Sequence, residues 1–238
     1  MSGGYFFDPE AMADIFQACL TYVPVCFFTA TASIVIGLAF GILLTLLRDS
    51  KVRVLKALGN AYVLIVRGIP SILLLLLVYY FVRGGFSVLA DRLGWEENAS
   101  AVPPLFLAIL ALSLSSAAFL SNTVKSALNS VDKGQKEAGL SLGIKPGTVF
   151  WRYILPQAVP VALPMLGNQY ITMLRATSLI GYVGVMDIVQ AGRIKATLYS
   201  NNLEAYFAEA IIYWGLTILL ERLFDWFNRR NVWHSSAA

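Results

Sequence analysis

The sequence predicts an all-α membrane protein that crosses the bilayer five times, and three observations carry this. Of 238 residues, 58% are hydrophobic and 13% charged, whereas a soluble domain carries roughly 25% charged residues. The charges are also gathered: no Asp, Glu, Lys or Arg falls between Asp14 and Arg48, between Glu97 and Lys125, or between Arg152 and Arg175. Each gap exceeds the roughly 20 residues that a helix needs to cross the hydrocarbon core. Finally, Lys and Arg are rich in alternate loops, a pattern that five spans satisfy and four or six would break. The net charge of +4 is therefore orienting loop charge rather than a sign of nucleic-acid binding.

The N-terminal stretch has no basic residue and carries Asp8, Glu10 and Asp14, so no cleavable signal is expected there. The first span is expected over about 20–47. Its Gly37 and Gly41 have the small-xxx-small spacing that lets helices approach closely. Cys19 and Cys26 lie two helical turns apart on this run and read as apolar packing residues, not a metal or redox pair. Arg48, Lys51, Arg53 and Lys56 follow, which places this loop inside and the N-terminus outside. The second span is expected over about 58–82, interrupted at Arg67-Gly68-Ile69-Pro70, where Arg67 and Pro70 mark a kink. The next loop sets Arg83 and Arg92 against Asp91, Glu96 and Glu97. The third span is expected over about 104–124.

The loop over about 129–152 is basic, with Lys133, Lys136, Lys145 and Arg152. Asp132-x-x-Gln135 has the form of a capping box, so a helix should begin near Lys133. Gly143 offers a left-handed stop, with Pro146 just beyond. Such a helix is too short to be stable alone in water, so something must pack against it. Its surface offers Ala138, Gly139, Leu140 and Gly143, with Glu137 beside them. Packing on lipid headgroups through Lys133 and Lys136 is one solution; docking on a protein partner is another.

The fourth span is expected over about 153–174. Pro156, Pro160 and Pro164 share one face there and shape a bend. The run 176–186 is too short to cross and either continues this span or dips back into the bilayer. The fifth span is expected over about 205–227, with the C-terminus inside and His234 in a polar tail. Polar residues at membrane depth are candidates for a substrate route: Asn122, Gln169, Arg175, Thr177 and Ser178. An interhelical hydrogen bond would equally account for Asn122, and a partner carboxylate or snorkelling to an interface for Arg175.

Glu137-Ala138-Gly139, Gly143 and Leu155-Pro156 resemble the cytoplasmic "EAA" loop of ABC importer permeases: Glu-Ala-Ala, three residues, Gly, nine residues, Ile-x-Leu-Pro. Gly139 stands for the second Ala and Tyr153 for the Ile. Arg67-Gly68-Ile69-Pro70 is similar to the Arg-Gly-Thr-Pro of the polar amino acid (histidine, glutamine, cystine) branch. AAFLSNTVKSALNSVDKGQKEAG and LPQAVPVALPMLGNQYITMLRATSLIGYVGVMDIV resemble its third span with loop and its fourth span with gate. Asn122 and Lys125 depart from that pattern, which has Glu and Arg. The resemblance implies the five-span type I (MetI-like) permease fold of a bacterial plasma membrane importer. It also implies a second permease subunit, two ATP-binding subunits docked on the loop helix, an extracytoplasmic solute-binding protein and an amino acid substrate. No phosphate-binding Gly-x4-Gly-Lys-Ser/Thr loop occurs in the chain, so ATP hydrolysis is expected in a separate subunit, with no cofactor here. An ATP-independent carrier or channel would need coupling carboxylates in the membrane, and the middles of spans one, three and four have none. A non-transporting scaffold would leave the loop helix free of any ATPase.

Overall fold

A computed structural model describes residues 7–95, 102–199 and 202–232, with side chains through 229. Glu96, Glu97 and His234 lie outside the described residues. The described residues form helices and no strand. In order these are α1 (Pro9–Leu20), α2 (Val23–Arg48), α3 (Arg53–Gly68), α4 (Ser71–Leu93), α5 (Pro104–Asn129), α6 (Lys133–Ser141) and α7 (Pro146–Val149). A π turn (Phe150–Ile154) leads into α8 (Leu155–Ala176), a 3-10 turn (Thr177–Val183), α9 (Ile188–Tyr199) and α10 (Leu203–Val232). Five segments are long and apolar enough to cross a membrane: Val23–Arg48, Ser71–Leu93, Pro104–Asn129, Pro146–Val183 and Leu203–Arg229.

The bundle is organised around α5, whose buried side is rich in small residues, among them Ala108, Ala111, Ser113, Ser116, Ala117 and Ser121, beside Leu107, Leu112 and Leu120. Facing it, α2 buries Thr29, Ser33, Gly37, Gly41 and Thr45. These positions recur every four residues and form one stripe. Without bulk on either side, the two backbones come close enough for hydroxyl-to-carbonyl bonds across the interface. Ser116 Oγ donates to Ser33 O at 3.1 Å, and Thr45 Oγ1 to Ser121 O at 3.1 Å. A Cβ on Gly41 would lie 3.0 Å from both Leu120 Cβ and Ser121 N.

Three expected spans differ in extent from those observed. The run expected from Leu20 is broken at Thr21-Tyr22, so α1 is a separate helix. Asp8 caps it, accepting from Glu10 N at 3.0 Å and Ala11 N at 3.1 Å, with Pro9 at the first turn. It buries Ala11, Ile15 and Cys19 against α9 and α10. Asp14 accepts from Lys195 Nζ at 2.9 Å and Tyr199 OH at 2.7 Å, and these donors hold its carboxyl below the usual range. Both Cys19 and Cys26 are buried free thiols.

The run expected over 58–82 is likewise two helices. Ile69 is extended (φ −94, ψ 130), as a residue before proline tends to be. The membrane-length helix then starts only at Ser71 and continues to Leu93. The preceding α3 exposes Val54, Leu58, Leu64 and Ile65 and is tied to the bundle by Tyr62 OH donating to Leu114 O at 2.9 Å. At its end Arg67 lies over the Phe119 ring, 5.2 Å from the centroid.

The fourth span starts earlier and runs further than its apolar run. In the π turn, Leu155 N bonds Phe150 O, a wider i to i+5 closure. This turn includes Arg152, whose carbonyl in a regular helix would face the Pro156 ring and lack its N–H donor. Pro160 and Pro164 follow within α8. The uncertain segment after 176 continues the span as the 3-10 turn, ends at Gly184 (φ 84) and resumes as α9.

Gly41→Val is expected to cost about 1–3 kcal/mol by overpacking against the α5 backbone. Thermal unfolding of the purified protein in detergent should show a lower Tm; an unchanged Tm would mean that the α2–α5 contact is not close.

Candidate functional site

The loop helix α6 is built as its sequence dictates. The Asp132 side chain accepts from Gly134 N at 2.6 Å, satisfying one of the free donors of the first turn. At the other end Gly143 N donates to Leu140 O at 3.0 Å and Ile144 N to Gly139 O at 3.1 Å. With Gly143 at φ 75, this is a Schellman stop, in which a left-handed glycine returns two amides to the last carbonyls.

What α6 lacks is a core. None of its residues is buried, and Leu142, just past its end, is 79% exposed. It approaches the bundle closely at Gly139, where a Cβ would fall 2.9 Å from Val149 Cγ2. Val149 itself is buried. The glycine thus suits the close approach of α7, which joins α6 to the start of the fourth span; a larger residue would have to push Val149 aside.

Glu137 and Leu140 share a face of α6 with Lys133 and Lys136. All four line an open cavity of about 770 Å³ between α6, the end of α5 and the π turn. No ion pair involving Lys133, Lys136 or Glu137 occurs among the described residues. Ala138 and Gly143 are exposed outside this cavity. The cavity thus presents two ammonium groups, two carboxylates counting Asp132, and an apolar floor, a mixed surface suited to another protein chain.

The residues expected along a substrate route fall into two separate groups. Asn122 is half-buried on α5, and its Oδ1 accepts from Arg48 Nη1 at 2.7 Å. The same guanidinium donates to Ser121 Oγ at 2.9 Å and, through Nε, to Asn60 Oδ1 at 3.0 Å. Asn122 thus ties α5 to the end of α2 and to α3. Beside it Lys125 pairs with Asp49 at 2.5 Å.

The second group sits at the far end of α8, about 30 Å from Leu155 at 1.5 Å per residue. Arg175 is exposed there and Ser178 is half-buried. Thr177 is fully buried, donating to Leu174 O at 2.7 Å, so its hydroxyl reaches no surface in this conformation. Gln169 turns inward, and its Nε2 is buried without a partner among the described residues. Sequence reading missed Asn168 and Thr172, which are exposed on the same face as Arg175. Their i, i+4, i+7 spacing was the available signal. It also missed three buried acids near this end: Asp187, Glu204 and Glu209.

The fold has counterparts among known proteins. A family model described as "binding-protein-dependent transport system inner membrane component" matches residues 34–232. A probable amino-acid permease protein, YxeN, of Bacillus subtilis (strain 168) is 37% identical over 222 residues, covering 93% of this chain and 95% of that one. The L-cystine transport system permease protein TcyL of the same organism is 33% identical, covering 94% and 89%. Among solved structures, an amino acid ABC transporter crystallised with histidines superposes with a TM-score of 0.81 at 25% identity, over 95% of this chain and 100% of that one. An inward-facing MetNI methionine ABC transporter shares the fold, with a TM-score of 0.68 at 23% identity, over 94% and 99%. The chain belongs to the family of inner membrane components of binding-protein-dependent transport systems and is a multi-pass membrane protein.

Proposed function

We propose that this chain is the permease subunit of an ATP-driven importer of amino acids, coupled through α6 to a separate ATPase. The observation that carries the coupling is the state of α6: a capped nine-residue helix with no buried residue and exposed leucines. Left alone in water it is too short to be stable, and its mixed cavity gives a partner apolar and charged footholds. The amino acid substrate is supported by the names of the relatives, which include amino-acid, cystine and arginine permeases.

In this reading the N-terminus lies outside and the C-terminus inside, which puts the basic loops on the cytoplasmic side. Two permease subunits form the route, two ATP-binding subunits dock below, and a solute-binding protein delivers substrate from outside. ATP closes the ATPases and moves α6. The movement passes through the Gly139–Val149 contact to α7, then through the π turn into α8, whose far end carries Arg175, Thr177 and Ser178. Arg67, Pro70 and Pro156 shape the breaks that let these segments move as separate pieces. The ATPase does the chemistry; this chain transmits motion and lines the route.

Glu137→Lys reverses a charge in the docking cavity and should lower ATP-driven uptake by about tenfold or more, an effect of the size of a lost charged contact. Proteoliposomes holding the full transporter provide the measurement, and normal uptake with normal assembly would refute the docking role. Gly139→Val should push α6 away from Val149 and speed amide hydrogen exchange across 133–144. Val149→Ala in the same chain should slow it again. Equal exchange in all three proteins would show that this contact does not hold the helix.

A further inference from the structure

The charges exposed on the membrane spans are uneven in sign. On α8 the exposed residues Asn168, Thr172 and Arg175 recur at i, i+4, i+7, while Val161 and Met165 continue the same face towards α6. Hydrocarbon cannot solvate an amide or a guanidinium, so the upper part of this face meets a water-filled route, another subunit or, for the long Arg175 side chain, the headgroup interface. Arg175 makes no hydrogen bond or ion pair among the described residues.

Asp187, Glu204 and Glu209, at the same end, are turned away, whereas Asp91 at the end of α4 is exposed on that side. Asp187 is fully buried and accepts from Gln190 N at 2.8 Å. Glu204 is fully buried and accepts from Asp8 N at 2.6 Å. Glu209 is 7% exposed, packed against Gly192. Asp14 is held by Lys195, and Glu10 lies on α1, before the spans. On the spans themselves, the exposed acids among the described residues are Asp91, Glu221 and Asp225, in the last turns of α4 and the lower part of α10.

We infer that the face formed by Asn168, Thr172 and Arg175 selects substrate by its carboxylate, and that the amino acids carried have neutral or acidic side chains rather than basic ones. This rests on the reading of the chain as lining a transport route. A guanidinium can grip a carboxylate with two parallel hydrogen bonds. One turn below, Thr172 Oγ1 donates to Asn168 O at 2.9 Å and keeps its lone pairs free to accept, and two turns below, the Asn168 amide adds a neutral donor and acceptor. A second ammonium or guanidinium on the substrate would find no exposed carboxylate on this face, and it would be repelled by Arg175.

The test uses the complete membrane complex, this chain with its permease partner and ATPases, in nanodiscs without the solute-binding protein. Titration calorimetry with L-glutamate, L-glutamine, L-lysine and L-arginine reads the preference of the membrane part alone. Glutamate or glutamine should bind at least about tenfold more tightly than lysine or arginine, and Arg175→Gln should weaken that binding by a similar factor. Tighter binding of lysine or arginine, or unchanged binding in Arg175→Gln, would overturn the inference. So would the absence of binding in a complex that still imports. Separation of the permease pair in Arg175→Gln, with glutamate or glutamine still bound by the separated chain, would assign the arginine to the subunit contact and overturn it too. Failure of ATP-driven uptake in the wild-type transporter would instead remove the importer reading on which the inference rests.

Discussion

Hydrocarbon offers no hydrogen bond to a main chain that leaves its helix, and the places where this chain breaks follow from that constraint. At Thr21-Tyr22 the break closes locally, with Tyr22 N donating to Cys19 O at 3.1 Å. At Ile69-Pro70 the proline removes one donor, and Leu74 N takes the Pro70 carbonyl at 3.0 Å to start the next helix. The π turn before Pro156 keeps a main-chain ladder running where a regular helix would meet the ring. At the far end, Asp187 Oδ1 caps α9 through Gln190 N. These bonds let the bundle be segmented with less bare backbone exposed to lipid.

Segmentation is also what makes the fold useful. A single rigid span from the loop to the far side would tie α6 to Arg175 as one rod. Here the path passes from α6 through a Schellman turn, a one-turn helix and a π turn before α8 begins. The Gly139–Val149 approach keeps the first two pieces together, while the α2–α5 stripe of small residues fixes the body against which they can move. A helix with no buried residue at one end of this path, and a guanidinium without a partner among the described residues at the other, are two places where the isolated chain is incomplete.

Much of this was legible in the sequence. Long uncharged runs gave the five crossings because membrane depth excludes unpaired charge. Asp132 and Gly143 gave α6 its ends because capping is a local interaction. What stayed hidden depended on contacts between distant residues. The reason for Gly139 lies ten residues away at Val149, and nothing local distinguishes it from a poor helix former. Asn122 read as a route residue or an interhelical bond until Arg48 was seen across from it. The separate α1 carried a local signal, Asp8-Pro9-Glu10, but the apolar run beginning at Leu20 masked it. For the inward turn of Gln169 and the burial of Thr177 there was no signal, because proline-rich α8 obscures which face is inside.

In the proposed mechanism, motion generated in a separate ATPase drives this chain through α6. Uptake of a radiolabelled amino acid into proteoliposomes, with ATP inside and the solute-binding protein outside, tests it directly when the ATPase subunit is included or left out. The account predicts accumulation only when both ATPase and ATP are present. Accumulation by the permease without the ATPase, driven by an ion gradient alone, would contradict it.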